Sequence, residues 1–170
     1  FNRDSASLIG GRTSRGVEFS TTVKPTDQLS LGFNASYTDA KFTPGENVVT
    51  FSGNTPPNVP KWTTAAYINY NDIAGLPINA GASIHYVGER FADNANTTRL
   101  HGYSLVNLFL GWDVNDNTRV SARIDNLFNT NYIPWSDVFY YQSVSPGFLY
   151  ANELALGAPR SYGLTLQAGF

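Results

Sequence analysis

Apolar and polar residues alternate one by one through much of this chain, the period that puts i, i+2 and i+4 on one face of a β-strand. Over 159–170, Tyr162, Leu164, Leu166, Ala168 and Phe170 share one face, and Ser161, Gly163, Thr165, Gln167 and Gly169 the other. Over 118–125, Val120, Ala122 and Ile124 oppose Arg119, Ser121, Arg123 and Asp125. Over 104–114, Val106, Leu108, Leu110, Trp112 and Val114 oppose Asn107, Gly111 and Asp113, with Phe109 breaking the pattern. Ile78, Ala80, Ala82, Ile84 and Tyr86 continue the series, as do Trp62, Ala66, Ile68 and Tyr70. Leu29, Leu31, Phe33, Ala35 and Tyr37 do the same, and Val17, Phe19 and Val23 begin it. The alternation predicts seven strands, at 16–24, 28–38, 61–71, 77–88, 102–114, 118–132 and 159–170, and no helix. Each is about ten residues, the length a tilted strand needs to cross a bilayer.

The connections sort into two kinds. Pro25-Thr26-Asp27, the segment holding Asp72 and Gly75, and Asn115-Asp116-Asn117 are short and made of turn formers. Segments 39–60, 89–101 and 133–158 are long. Short and long alternate strictly, as in a sheet threading a membrane with short periplasmic turns and long extracellular loops. With a periplasmic C-terminus, the three turns fall on the periplasmic side and the three loops outside.

Composition separates a membrane wall from a soluble sandwich, which also alternates. Charged residues are only 14% of the 170, against roughly 25% in an average soluble domain. Aromatics also reach 14%, while mean hydropathy stays at −0.23. The polar face is Ser, Thr, Asn, Gly and Gln rather than the Lys and Glu of a solvated sheet. Tyr37, Trp62, Tyr70, Tyr86, Tyr103, Tyr132 and Tyr162 gather at strand ends, as in an interfacial girdle. The expectation is an all-β, antiparallel up-and-down transmembrane barrel wall, with outer-membrane lipid against its apolar face. No apolar run is long enough for a transmembrane helix. The absence of Met and of a signal peptide, and an odd strand number where bacterial single-chain barrels have even ones, lead us to expect a piece of a longer chain. There is no Cys, hence no disulfide or thiolate site. A net charge of −2 gives no reason to expect nucleic acid. His85 and His101, even with Glu89 and Asp93 nearby, lack metal-ligand spacing. No nucleophile elbow is present. Neither catalytic residues nor a metal nor a cofactor is expected, although a small outer-membrane barrel enzyme stays as a third reading.

Several motifs resemble those of TonB-dependent outer-membrane receptors, in family order. Asp125-Asn126-Leu127-Phe128-Asn129-Thr130-Asn131-Tyr132 resembles the N-L-F-(D/N)-x-x-Y segment near the end of those proteins. Gly157-Ala158-Pro159-Arg160 resembles the approach to their last strand, which ends in an aromatic, here Phe170. Arg15-Gly16-Val17-Glu18 resembles a strand start, and Gly53-Asn54-Thr55-Pro56-Pro57-Asn58-Val59-Pro60 the family's G-N-x-P-P-N-V-P. Tyr86-Val87-Gly88-Glu89-Arg90-Phe91 resembles Y-V-G-x-R-Y with Phe91 for the usual Tyr, and Gly102-Tyr103 resembles G-Y-(T/S). Segment 133–158 departs from the family in length and aromatic content.

The resemblance implies the last seven strands of a barrel of roughly 22 strands, the plugged class, with residues 1–170 as its C-terminal portion. It implies import of a scarce nutrient energised by the TonB complex: a ferric siderophore ahead of cobalamin, haem or a glycan. Alternation alone equally allows a diffusion porin. Ligand-contact candidates are Arg90, Phe91 and Asp93 in the second loop and Trp135, Tyr140, Tyr141 and Tyr150 in the third. Aromatic faces and a guanidinium suit an anionic, ring-bearing iron chelate. Glu18, Arg119, Arg123 and Asp125 are the candidates facing a plug. Tyr162, Leu164, Leu166, Ala168 and Phe170 resemble the signal that the barrel-assembly machinery reads by edge pairing. Asn126 and Asn129 suit a bend where the strand leaves the membrane.

Overall fold

Most apolar positions of the alternating segments are β-branched, aromatic or Leu, with Ala at the rest, and turn formers close most segments, so each fits a pleated, one-sided surface. A computed structural model describes residues 11–44, 51–138 and 152–169. Its strands are β1 (Arg12–Val23), β2 (Leu29–Phe42), β3 (Trp62–Tyr70), β4 (Ile78–Val87), β5 (Arg90–Phe91), β6 (Arg99–Leu100), β7 (Tyr103–Asn115), β8 (Thr118–Asp125), β9 (Trp135–Val138), β10 (Asn152–Ala155) and β11 (Ser161–Ala168). Seven of these form one antiparallel sheet in the order β1-β2-β3-β4-β7-β8-β11, while β5–β6 and β9–β10 are separate two-stranded hairpins. Each wall strand therefore pairs with its neighbours in the chain. The predicted strands are these seven, and their connections alternate between the two rims.

Register carries the two-faced pattern across the whole sheet. Val23, Leu31, Ile68, Ala82, Leu108, Ile124 and Tyr162 line up in one cross-strand row. Leu29, Tyr70, Ala80, Leu110, Ala122 and Leu164 form the next. On the opposite face run Thr22, Gly32, Tyr67, Ser83 and Asn107. Arg123, Asp125 and Gln167 share that polar face. A soluble sandwich would cover the apolar rows with a second sheet. Here Leu164 stays 78% exposed and Val17 71% exposed, while Ala40, Ala92 and Leu100 are buried. An apolar surface of this kind needs lipid.

Several details differ from the sequence reading. β1 and β2 run on together to an Arg12–Phe42 pair, with Arg15 opposite Asp39. Backbone pairing outlasts the apolar alternation there, because the extension needs no lipid-facing side. β8 stops at Asp125 rather than 132, since Asn126 takes a left-handed φ of 51°. The two later loops contain the β5–β6 and β9–β10 hairpins. Phe109 does not interrupt β7 but occupies the polar face, opposite Gly81 and Arg123. Gly32 is required by a similar approach: a Cβ there would sit 2.0 Å from the Tyr67 ring, whose hydroxyl reaches Thr22 Oγ1 at 3.1 Å. The girdle also changes membership. Tyr37 and Trp62 pack on the apolar face with centroids 4.9 Å apart. Tyr103 instead belongs to the polar face and packs on Tyr132 at 4.6 Å.

The three tight turns use local polar contacts. Thr26 Oγ1 accepts from the Leu29 N–H at 3.1 Å, and Asn115 Oδ1 accepts from the Asn117 N–H at 3.0 Å. Asp72, Ala74 and Gly75 all hold positive φ around a short 3₁₀ turn, Ile73–Gly75.

Candidate functional site

Among the described residues, the buried polar and charged side chains lie at the rim of the long connections. Arg90, Ala92, Asp93, Leu100, Asn126 and Ser136 are all buried there. Loop backbone at this depth has polar groups that neither a ladder nor bulk water satisfies, and each must find a partner. Asparagine supplies it, for it tolerates the left-handed region and its side-chain amide carries both N–H donors and a carbonyl acceptor, as a peptide group does.

Three left-handed asparagines do this in the same way. Asn58 (φ 60°) donates from Nδ2 to the Ser136 carbonyl at 2.7 Å, and its Oδ1 accepts from the Ser136 N–H at 3.0 Å. Asn96 (φ 59°) pairs likewise with Thr55, at 2.7 Å to its carbonyl and 2.9 Å from its N–H. Asn126 pairs with Thr130, at 2.9 Å to its carbonyl and 2.8 Å from its N–H, and also donates to the Ala158 carbonyl. The fourth, Asn129 (φ 52°), accepts from the Arg160 N–H at 2.9 Å. The bend expected at Asn126 and Asn129 is therefore present. Asn58, Asn96 and Ser136 are missing from the sequence-derived candidates. Their signal was faint: an Asn following two prolines, and another in a polar run between two short strands.

The second loop changes which of its residues face outward. Arg90 is 2% exposed. Its Nη2 donates to the Ile133 carbonyl, its Cζ lies 5.5 Å from the Tyr103 ring centre, and Nη1 has no hydrogen-bond partner among the described residues. Burial pushes its pKa down, partly offset by the neighbouring Tyr103. Asp93 is also buried, its carboxylate accepting from the Thr97 and Thr98 N–H groups at 2.9 and 2.8 Å and from Thr97 Oγ1 at 3.0 Å. Desolvation raises its pKa, but these hydrogen bonds outweigh it and hold the carboxyl below its ordinary range. Both side chains thus fasten the loop. Register places Arg99 opposite Phe91, with its guanidinium 5.7 Å from that ring centre and 3.0 Å from Glu89. Arg99 and Glu89 are largely solvent-facing. The guanidinium beside an aromatic ring on the open surface is that of Arg99, not Arg90.

Trp135 is 58% exposed. Tyr140, Tyr141, Tyr150 and Phe170 lie outside the described residues. On the polar face, Arg119 meets Asp113 at 3.1 Å, and Arg123 meets Asp125 at 3.4 Å while its stem lies over Gly163. Glu18 lines a shallow concavity of that face with Ser20, Asn34, Ser36, Thr63 and His85. Tyr162, Leu164, Leu166 and Ala168 lie on β11, whose far edge pairs with nothing among the described residues.

A family model described as the TonB-dependent receptor-like β-barrel matches residues 3–127. The ferrichrome outer membrane transporter/phage receptor of Escherichia coli is 27% identical over 136 residues, covering 75% of this chain. A ferrioxamine receptor of Yersinia enterocolitica is 34% identical over 96 residues, covering 56% of it. The chain spans only 18% and 13% of those relatives' own length. The crystal structure of the ferric yersiniabactin uptake receptor of Yersinia pestis superimposes with a TM-score of 0.78 at 21% identity, over 95% of this chain and 24% of that one.

Proposed function

We propose, from the premise that this chain belongs to the TonB-dependent receptor β-barrel family, that it is the C-terminal wall of an importer that takes up a ferric siderophore with energy from the TonB system. Its place is the outer membrane. The observation that carries the reading is the combination of a lipid-facing apolar wall with a rim whose loops are packed into fixed geometry. A diffusion pore needs only the wall. A receptor must also hold its outer loops in place for a ligand.

Within this reading, Arg99, Phe91 and Trp135 present the aromatic and cationic surface that an anionic iron chelate takes. Tyr140, Tyr141 and Tyr150 extend the same proposal along the third loop. Arg90 and Asp93 support it from beneath. Glu18 and Arg123 are the charges of the polar face best placed to meet a plug, with Asp125 tied to Arg123 and Arg119 held by Asp113. β11, carrying Leu164 and Leu166, is the strand offered to the assembly machinery.

The test is uptake of iron-55 supplied as ferrichrome or ferrioxamine, in iron-starved cells whose only siderophore receptor is the full-length protein. Saturable uptake that disappears when TonB is deleted is the expected result. Uptake that stays linear with concentration and indifferent to TonB would mark a diffusion pore.

A further inference from the structure

The hydrogen bonds of the rim form a closed triangle among three loops. The first loop meets the second through Thr55–Asn96, through Asn54 Nδ2 to the Asn94 carbonyl at 2.9 Å, and through the Asn58 N–H to the Phe91 carbonyl at 2.9 Å. The first meets the third through the Asn58 side chain and Ser136. The third meets the second through Ser136 Oγ to the Ala92 carbonyl at 3.3 Å, and through Arg90 to the Ile133 carbonyl. Asn58 takes part in two sides of this triangle, by backbone and by side chain. Strand alternation puts Ser136 and Trp135 on opposite faces of β9: Ser136 is 2% exposed against the clip, Trp135 is 58% exposed away from it.

We infer that the described parts of the three loops move as one body pinned by the Asn58 side chain, and that Asn58 is a positioning residue for the ligand-facing Trp135. The loops are not three independent flaps: a displacement at one is passed to the others through fully paired amides, since breaking a pair strands buried polar groups. The positioning half rests on the importer reading; the coupling half rests on the hydrogen bonds alone.

Asn58→Gly removes the pin while keeping the left-handed backbone that glycine adopts freely. Hydrogen exchange on the full-length receptor should then show amides in 54–58, 91–98 and 135–136 exchanging together, roughly tenfold faster, with the wall strands unchanged. Acceleration confined to 54–58, or none, overturns the coupling. Should the glycine variant fail to assemble, Asn58→Asp keeps the bonds from the Ser136 N–H and hydroxyl and replaces the Nδ2 donor by a carboxylate oxygen facing the Ser136 carbonyl. An acceleration spread over all three loops is then expected, and a change in one loop alone overturns the idea. Ferrichrome and ferrioxamine binding is measured on the same preparations. Weakened binding with accelerated exchange supports the positioning role, and unchanged affinity with accelerated exchange overturns it. Wild-type protein that binds neither probe overturns the siderophore reading and the positioning half with it, leaving exchange to decide the coupling.

Discussion

At the scale of single residues, the asparagines of the rim matter because they stand in for peptide groups. Asn126 is 4% exposed; its side chain accepts from the Thr130 N–H and donates to two carbonyls, and its own backbone N–H donates to Asn107 Oδ1 at 3.0 Å. Asn126→Ala leaves the Thr130 N–H and carbonyl and the Ala158 carbonyl without their side-chain partner in a part-buried site, and puts Ala at a left-handed φ that Asn tolerates better. We expect a total loss of roughly 1–3 kcal/mol, read as a lower urea midpoint for barrel unfolding. Asn126→Gly should be less damaging, because it loses the bonds without the strain. Asp93 gives a pH signature. Its carboxyl is held below its ordinary pKa of 3.8, so its stabilisation of the 93–98 turn is complete above that value and fades as pH falls through the lower, folded value. Proteolysis within 93–98 should therefore be unchanged from pH 7 down to about 5 and rise only in strong acid. Asp93→Asn should abolish the acid step.

At the scale of elements, the wall was legible in the sequence. Period-2 alternation fixes which side each residue faces, and a slip of one residue would invert all seven strands. Leu108 and Ser121 test it. Leu108→Arg places a guanidinium on the lipid side and should cost about 2–4 kcal/mol if it lies near the midplane. Ser121→Arg, on the polar face, should leave the urea midpoint nearly unchanged. Equal loss in both would contradict the two-faced wall. What the sequence concealed obeys other physics. Phe109 sits among polar neighbours because Gly81 and Gly111 beneath it leave room, and alternation cannot see neighbouring strands. Tyr103 looked like a girdle residue because chain position alone does not say which face an aromatic takes. Arg90 and Arg99 were indistinguishable as charges; only the β5–β6 register separates the buried cation from the exposed one. The clip of Asn58, Asn96 and Ser136 has no period at all, since it joins residues far apart through side chains.

At the scale of the whole molecule, the meander assigns every connection to a rim. Cysteines introduced at Ala95 and Asp116 should respond differently to a membrane-impermeant maleimide on intact cells. Ala95→Cys, in the second loop, should label at once, and Asp116→Cys, in the β7–β8 turn, only after the outer membrane is opened. The reverse order would invert the topology. The same meander has a consequence for how the molecule comes together in time. Every pairing in the wall joins consecutive strands, so it can be laid down hairpin by hairpin at small loop-closure cost. The rim is different: Thr55 and Asn96 are 41 residues apart, and Asn58 and Ser136 are 78 apart. Those bonds cannot close until the intervening hairpins stand in register. The rim bonds thus close after the strands between them, and they serve as a checksum on those strands, since a chain with one of them slipped would present its asparagines to the wrong partners.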